Sequence, residues 1–254
     1  MQIFKYISDN NFQELTKNIF VKNLIKFSKA KDFNDPFELK PHFIGIINDE
    51  LMKNFKSQNI NTNGLFENII NGKEILNLVL NEFDRGINEN FGILSLTTKN
   101  DNLLMWSHYA NSHKGFVIEF NSNNDFFNTQ IDIKFHYGKL HKVEYSEKRP
   151  TGKLADFEDI TSVCLIKSIE WEYENEYRMF MPLKKADFSA NDLFLFKFPS
   201  EMIKSVYLGC NMSMKNRNIL INLLKSEQYL NHIKIFQSQI SEDDYKLVFN
   251  EINS

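Results

Sequence analysis

The stretch Trp171-Glu172-Tyr173-Glu174-Asn175-Glu176-Tyr177-Arg178-Met179-Phe180-Met181 places Glu174, Glu176 and Arg178 at every second position and ends in an apolar run. Because side chains alternate between the two faces of a β-strand, an extended segment from Tyr173 to Phe180 would carry all three charges on one face. Two carboxylates at this spacing can divide catalytic work: one binds a hydroxyl or acts as a base, and the other positions a second substrate. The same pattern is also typical of a solvated ladder of ion pairs on an exposed sheet face.

A second block, Trp106-Ser107-His108-Tyr109-Ala110 followed by His113-Lys114-Gly115, has helical spacing. On a helix, Trp106, Tyr109 and His113 would share one face. An imidazole can move protons near neutrality, and a tyrosine can stack on a ring or donate a hydrogen bond, so His108 and Tyr109 are candidate site residues. In the plainer alternative, Trp106 and Tyr109 only anchor the helix to a sheet.

Apolar periodicity along the rest of the chain predicts an α+β fold with a mostly antiparallel sheet flanked by helices. The predicted strands span residues 3–7, 24–28, 91–98, 115–120, 142–145, 177–181, 193–198, 203–209 and 233–237. The predicted helices span residues 12–19, about 48–88, 103–112 with Asp101 or Asn102 as cap, 157–166 and 215–224. We predict one domain over residues 1–254, with a helical insertion at about 48–88 and a C-terminal helix and strand at about 215–250.

The composition narrows the possible classes of protein. The chain has 254 residues, 42% of them hydrophobic, and a net charge of -3 from interspersed acids and bases, so no nucleic-acid-binding surface is indicated. Cys164 and Cys210 form no CxxC pair, which excludes a zinc knuckle and argues against a disulfide framework. No histidine has metal-ligand spacing to an acid, so no metal is expected. A signal peptide and membrane-spanning apolar runs are missing, so we expect a cytoplasmic protein without a membrane partner.

Four motifs occur in a particular order along the chain. They are Lys5-Tyr6, Phe33-Asn34-Asp35-Pro36-Phe37-Glu38, Leu104-Met105-Trp106-Ser107-His108-Tyr109-Ala110 with Gly115, and Lys167 with Trp171 to Arg178. In this order the motifs resemble the bacterial domain-of-unknown-function family 2971, from the first strand to about Gly209. That family has no assigned chemistry, so the resemblance leaves the reaction open. The second motif is in addition predicted as an ordered turn, since Asn and Asp bond their own backbone and Pro36 fixes φ.

A more distant resemblance concerns chemistry. Lys5-Tyr6, then Ser95-Leu96-Thr97, then Glu174-Asn175-Glu176 are similar in outline to the three signatures of ADP-ribosyltransferases. Those signatures are a polar residue on the first strand, a Ser-x-Ser-like strand and a late Glu-x-Glu. The resemblance implies a split, largely antiparallel sheet and NAD as cofactor. Here Lys5 or Tyr6 stands where an arginine or histidine is usual.

The same resemblance implies roles for individual residues. Glu176 would hold the nicotinamide-ribose hydroxyl and stabilise an oxocarbenium-like transition state, while Glu174 would face the acceptor. Tyr6, Trp106 or Tyr109 would stack on nicotinamide. The remaining cofactor-binding candidates are Lys5, Ser28, Ser95 and Thr97.

The sequence therefore leaves three candidate functions open. The first is an NAD-dependent ADP-ribosyltransferase, acting as a toxin or phage-defence effector, whose acceptor, protein or nucleic acid, the sequence does not identify. The second is a metal-independent hydrolase or nuclease in which His108 acts as general acid or base and Glu176 and Arg178 stabilise a phosphate or acyl anion. The third is a non-catalytic sensor or interaction module.

Overall fold

The strands of the protein largely follow the alternation of its sequence. A computed structural model describes residues 1–58, 72–129, 131, 137–157 and 160–252. In chain order the strands are β1 (Gln2–Ile7), β2 (Leu24–Phe27), β3 (His42–Gly45), β4 (Phe91–Thr97), β5 (Phe116–Asn121), β6 (Leu140–Lys142), β7 (Glu144–Ser146), β8 (Thr151–Lys153), β9 (Ile166–Ser168), β10 (Glu176–Pro182), β11 (Phe188–Ala190), β12 (Leu193–Lys197), β13 (Ile203–Leu208), β14 (Lys234–Ile240) and β15 (Leu247–Glu251).

The described residues also form six α-helices. They are α1 (Phe12–Thr16, continued by a π-helical turn at Lys17–Val21), α2 (Asp49–Ser57), α3 (Lys73–Asn90), α4 (Leu103–Tyr109), α5 (Ile160–Val163) and α6 (Met214–Ser226). The range of the predicted helical insertion, 48–88, contains α2 and most of α3, while residues 59–71 of it lie outside the described residues. Asn102 caps α4, because its side chain accepts a hydrogen bond from the backbone N–H of Met105.

One large sheet organises these elements, in the strand order β15-β14-β13-β5-β1-β4-β10-β6. Only the β13–β14 pair within it is parallel, so the predicted α+β fold with a mostly antiparallel sheet flanked by helices is confirmed. At its centre β1 pairs with β5 over six residues but with β4 at the single pair Phe4↔Thr97. Beyond that pair β1 and β4 part, and the gap beside them positions the candidate site.

Apolar clusters cover both faces of the sheet. On one face, Ile3 and Leu94 pack with Phe12 of α1 and Leu220 of α6. The other face carries two clusters. One contains Phe4 and Trp106 of α4, and the second contains Ile93, Phe180 and Phe83 of α3. Burial of large side chains on both faces contributes most of the stability of such a layered fold.

Three sequence-based boundaries are wrong for identifiable reasons. The predicted helix 103–112 ends at Tyr109, because Asn111, Ser112 and His113 adopt φ of 45°, 54° and 66°, outside the helical region. The predicted helix 157–166 contains only the short α5 among its described residues, and Ile166–Ser168 is a strand that pairs in parallel with β7. Residues 158 and 159 of that prediction lie outside the described residues.

The third wrong boundary lies in the stretch from Trp171 to Met181. Tyr173 to Asn175 is not extended: Ile169–Glu174 forms a 3-10 helix and Asn175 has φ 45°, so the strand begins at Glu176. An asparagine tolerates the left-handed region better than most residues, which explains the break at this position. Sequence analysis also missed β3, the three-residue strands β8, β9 and β11, which are too short to show a period, and the last strand, β15. The single strand predicted at 142–145 is wrong as well, because β6 ends at Lys142 and β7 begins at Glu144.

Candidate functional site

A cavity of about 340 Å³ opens on the sheet face where β1 and β4 part. Its walls come from β1, β4 and β10, from α4, and from the turn that contains Phe33 and Asn34. The lining residues are Phe4, Lys5, Tyr6, Ser28, Asp32, Phe33, Asn34, Ile93, Ser95, Leu96, Thr97, Met105, His108, Tyr109, Lys167, Glu174 and Glu176. A partly aromatic cavity of this size with a few convergent polar groups is typical of small-molecule sites.

Most of the residues singled out from the sequence line this one cavity. They are Lys5, Tyr6, Ser28, Ser95, Thr97, His108, Tyr109, Glu174 and Glu176. Arg178 and Trp106 are fully buried and do not line it. Trp106 instead packs edge-on against Tyr6 at 5.5 Å and stacks on His113 at 5.9 Å between ring centroids. Arg178 and Trp106 therefore influence the cavity only through the side chains that they contact.

A buried charge cluster forms one wall of the cavity. Its members are Glu38, Glu174, Glu176, Lys167 and Arg178, each at most 5% exposed. The alternative of a solvated ion-pair ladder on an exposed face is therefore wrong. The reason is that the segments around Glu38, Cys164 and Lys167 contact the charged side chains of β10.

Lys167 is the centre of the charge cluster. Its Nζ lies 2.6 Å from Glu174 Oε2, 3.1 Å from Glu176 Oε2 and 3.3 Å from Glu38 Oε2. Burial lowers the pKa of Lys167, but the three carboxylates outweigh burial and raise it above its usual range. This ammonium is thus permanently charged and holds together carboxylates that would otherwise repel each other.

Arg178 fixes Glu176 from behind. Its Nε and Nη2 each donate to a different oxygen of the Glu176 carboxylate at 2.9 Å, Nη2 also donates to Glu38, and Nη1 donates to the carbonyl of Cys164 at 2.5 Å. Burial alone would raise the pKa of Glu176, but Arg178 and Lys167 outweigh it and lower the value to about 2. Glu176 is therefore an ionised carboxylate in a fixed orientation.

Glu174 differs from Glu176 although only one residue separates them. Its Oε1 accepts a hydrogen bond of 2.5 Å from the Tyr109 hydroxyl, and its backbone carbonyl accepts one of 2.5 Å from Thr97 Oγ1. Burial, which outweighs Lys167 here, raises the pKa of Glu174. Burial and Glu174 together raise the pKa of Tyr109 as well. The two neighbouring carboxyls are thus shifted in opposite directions, an arrangement found where acid and base roles are divided.

Two hydroxyls of the cavity have spare hydrogen-bonding capacity. Tyr6 Oη and Ser95 Oγ are buried and make no hydrogen bond of good geometry to any described residue. Ser95 nevertheless lies close enough to Glu176 to lower the pKa of that carboxyl. Because buried polar groups normally find partners, these hydroxyls are suited to a ligand that supplies them.

His108 lies at the rim of the cavity. It is exposed, and its ring lies 6.2 Å from that of Tyr109 and 6.3 Å from that of Trp171. His108 and Glu176 thus line the same cavity, one at its mouth and one at its wall.

Sequence reasoning missed Glu38 and Lys167 as site residues. Glu38 closes the turn at Asp35, whose Oδ1 accepts from the N–H of Phe37 at 2.9 Å, as the turn prediction requires. Both residues stood in the motifs quoted for the family resemblance, and this was the only signal that could have found them. The pairing of Glu38 with Lys167 and with Arg178, which lies 140 residues away in the chain, has no local signature.

The described residues provide neither a cluster of metal ligands nor a membrane-spanning helix. Within them, no group of three histidine, cysteine or acidic side chains is arranged to hold a metal ion. None of the helices formed by these residues combines the length and the apolar character needed to cross a membrane.

Comparison with known proteins adds one match. Residues 105–179 match the model of a family described as "Protein of unknown function (DUF2971)". The matched segment contains Tyr109, Lys167, Glu174 and Glu176, which meet in the cavity, and it supports the resemblance to that family. Neither the curated proteins nor the solved structures contained a match. The resemblance to ADP-ribosyltransferases therefore stays a prediction.

Proposed function

We propose that the protein is an enzyme that cleaves the nicotinamide–ribose bond of NAD and transfers the ADP-ribosyl group. The observation that carries this proposal is Glu176: a carboxylate held ionised and oriented by Arg178 and Lys167 in the wall of a cavity. A fixed negative charge in a partly dry site stabilises positive charge that develops in a transition state. The NAD donor would supply such a charge on its ribose as nicotinamide leaves.

The other cavity residues fit the same ligand. The hydroxyls of Tyr6 and Ser95, which have spare hydrogen-bonding capacity, can bond to ribose hydroxyls or to the nicotinamide amide. The rings of Phe33 and Tyr109 line the cavity and offer surfaces for a planar base. Glu174, with its raised pKa and its bond to Tyr109, is the residue we assign to the acceptor. As a cellular role we propose a toxin or phage-defence effector.

The test compares two glutamates of one cluster. Glu176→Gln and Glu38→Gln each remove one buried negative charge bonded to both Arg178 and Lys167, but only Glu176 lines the cavity. Both variants should lose stability. Calorimetric titration with NAD and nicotinamide release should show turnover reduced by at least roughly 10²–10³-fold in Glu176→Gln and far less in Glu38→Gln.

Two outcomes of this test would count against the proposal. Folded wild-type protein that neither binds NAD nor releases nicotinamide contradicts the proposal. Equal loss of turnover in the two variants would mean that Glu176 acts only as part of the structure.

A metal-independent hydrolase or nuclease is the second candidate, favoured by one observation: His108 and Glu176 line one cavity. The position of Arg178 argues against its predicted role in stabilising a phosphate or acyl anion. Its guanidinium is enclosed by Glu38, Glu176 and the Cys164 carbonyl and does not face a substrate anion. RNA cleavage in the presence of a chelator that disappears in His108→Ala would favour this function.

A non-catalytic module is the third candidate, since the charge cluster is satisfied internally. In that case Glu176→Gln leaves cellular activity intact. Trp106→Ala, which empties a fully buried position, would destabilise the fold by about 3–5 kcal/mol under any of the three functions.

A further inference from the structure

Two lysines line the cavity in opposite electrostatic situations. Lys167 has three carboxylates around its Nζ. Lys5 projects from β1 into the gap beside β4, and its Nζ donates a hydrogen bond of 3.0 Å to the Ser95 carbonyl. It forms no ion pair with any carboxylate of the described residues. The amine of Lys5 is thus held in place by a neutral acceptor only.

The charged groups near Lys5 come from three elements. Glu176 on β10 and Glu174 before it favour the ammonium form, and Lys26 on β2 opposes it. Burial is larger than any of these and lowers the pKa of Lys5 to about 8. At pH 7 the fraction of uncharged amine is then on the order of 200–300-fold larger than for an ordinary lysine.

We propose that Lys5 is a nucleophilic amine that condenses with the carbonyl carbon of an aldehyde or ketone bound in the cavity. The Lys5 nitrogen forms a bond to the carbonyl carbon, and the carbon–oxygen double bond becomes a carbinolamine hydroxyl. That hydroxyl leaves as water while the carbon–nitrogen double bond of an imine forms. The two protons lost from the nitrogen leave with the water, so no oxidant, reductant or further reactant is required.

The cavity provides a proton-bearing group for this exchange. The leaving hydroxyl must be protonated, and Tyr109 lines the same cavity with a hydroxyl that keeps its proton because burial raises its pKa. When Lys5 is neutral the charge cluster on the neighbouring wall has three carboxylates against two cations, which disfavours a carbonyl compound with a negative charge next to Lys5. A neutral hydroxyaldehyde is therefore the class of ligand that fits best. This activity goes beyond ADP-ribosyl transfer and does not depend on it.

The experiment uses the intact wild-type protein with glyceraldehyde as the probe. Cyanoborohydride reduces each imine to a stable secondary amine, and peptide mass spectrometry reports the labelling rate at every lysine. The exposed Lys204 and Lys225 serve as internal references. At pH 7 we expect Lys5 to be labelled at least about 10-fold faster than the references, with an advantage that shrinks as the pH approaches 10.

Every outcome bears on the proposal. Labelling of Lys5 no faster than that of Lys204 and Lys225 at pH 7, in protein shown to be folded by circular dichroism, overturns it. Added NAD should protect Lys5 if NAD occupies the cavity. Fast labelling of Lys5 without protection by NAD would support the nucleophilic lysine and count against the proposed transferase, so the two ideas fail separately.

Discussion

The hydroxyl of Tyr109 donates a hydrogen bond of 2.5 Å to Oε1 of Glu174, 65 residues further along the chain. This bond joins α4 to the 3-10 helix that precedes β10, and these elements carry the two polar and aromatic blocks of the sequence. Thr97 strengthens the same junction by donating to the Glu174 carbonyl. The cavity thus has a wall whose two halves are connected through one carboxyl group.

Tyr109→Phe should test this connection. The change removes the donor to Glu174 while keeping the ring, and leaves a buried carboxyl oxygen without that partner. We expect the free energy of unfolding to fall by about 1–3 kcal/mol, measured by chemical denaturation. Tyr177→Phe is the matched control, because Tyr177 packs into the cluster on the opposite face of β10. An equal loss in both variants would contradict the role assigned to the Tyr109–Glu174 bond.

The charge cluster should behave as one unit. Lys167→Met leaves Glu38, Glu174 and Glu176 without their shared cation, and we expect a loss of about 3–5 kcal/mol. The double variant with Glu38→Gln should lose less than the sum of the two single losses, by at least about 1 kcal/mol. Denaturation of the four proteins measures this coupling, and strict additivity would contradict it. Arg85→Ala, which breaks an exposed pair with Glu82, should cost no more than about 1 kcal/mol.

Acid should destabilise the protein through Glu176. Its pKa is about 2 in the folded state against an ordinary value of 4.5, so the unfolded chain binds the proton first as the pH falls. The stabilisation from Glu176 is therefore fully present above pH 4.5 and is lost as the pH falls through about 2. Glu174, with a raised pKa, contributes with the opposite sign, and its stabilisation is lost as the pH rises above 4.5.

Carbon-13 chemical shifts of the two carboxyl groups would separate these contributions. We expect Glu176 to titrate below pH 3 and Glu174 to titrate above 4.5. Titration of both groups near their ordinary values would show that the cluster does not enclose them as described.

Gly115 should be far less tolerant than Gly86. A Cβ at Gly115 would overlap the carbonyl oxygen of Ile7, whereas at Gly86 the nearest atom would be Asn90 Nδ2 at 3.7 Å. Thermal and chemical denaturation should show Gly115→Ala destabilised by about 1–3 kcal/mol. Gly86→Ala, within α3, should be stabilised by up to about 1 kcal/mol. Similar effects of the two changes would contradict the close approach of the Gly115 backbone to β1.

The sequence alone determined the elements whose signal is local. The alternation of apolar and polar residues identified β4, β5, β10, β12 and β13 to within one or two residues. A strand with one buried face shows this alternation directly in its sequence. Asn102 was identified as one of two candidate caps for α4 on the same kind of local evidence. The candidate residues Tyr109 and Glu176 were likewise chosen from polar groups within aromatic blocks, whereas Lys5 and Ser95 were chosen through the resemblance to ADP-ribosyltransferases.

Only the tertiary structure decided how those residues meet. The αL turn at Asn175 takes Glu174 off the strand, yet Tyr109, Thr97 and Lys167 return it to the cavity. Glu38 and Lys167 were not chosen as site residues, because the pairing of distant charges depends on strand order and on burial, which no local pattern contains. Arg178, which bonds to Glu176 and not to Glu174, also separates the pKa values of these two carboxyls, which the sequence presents as equivalent.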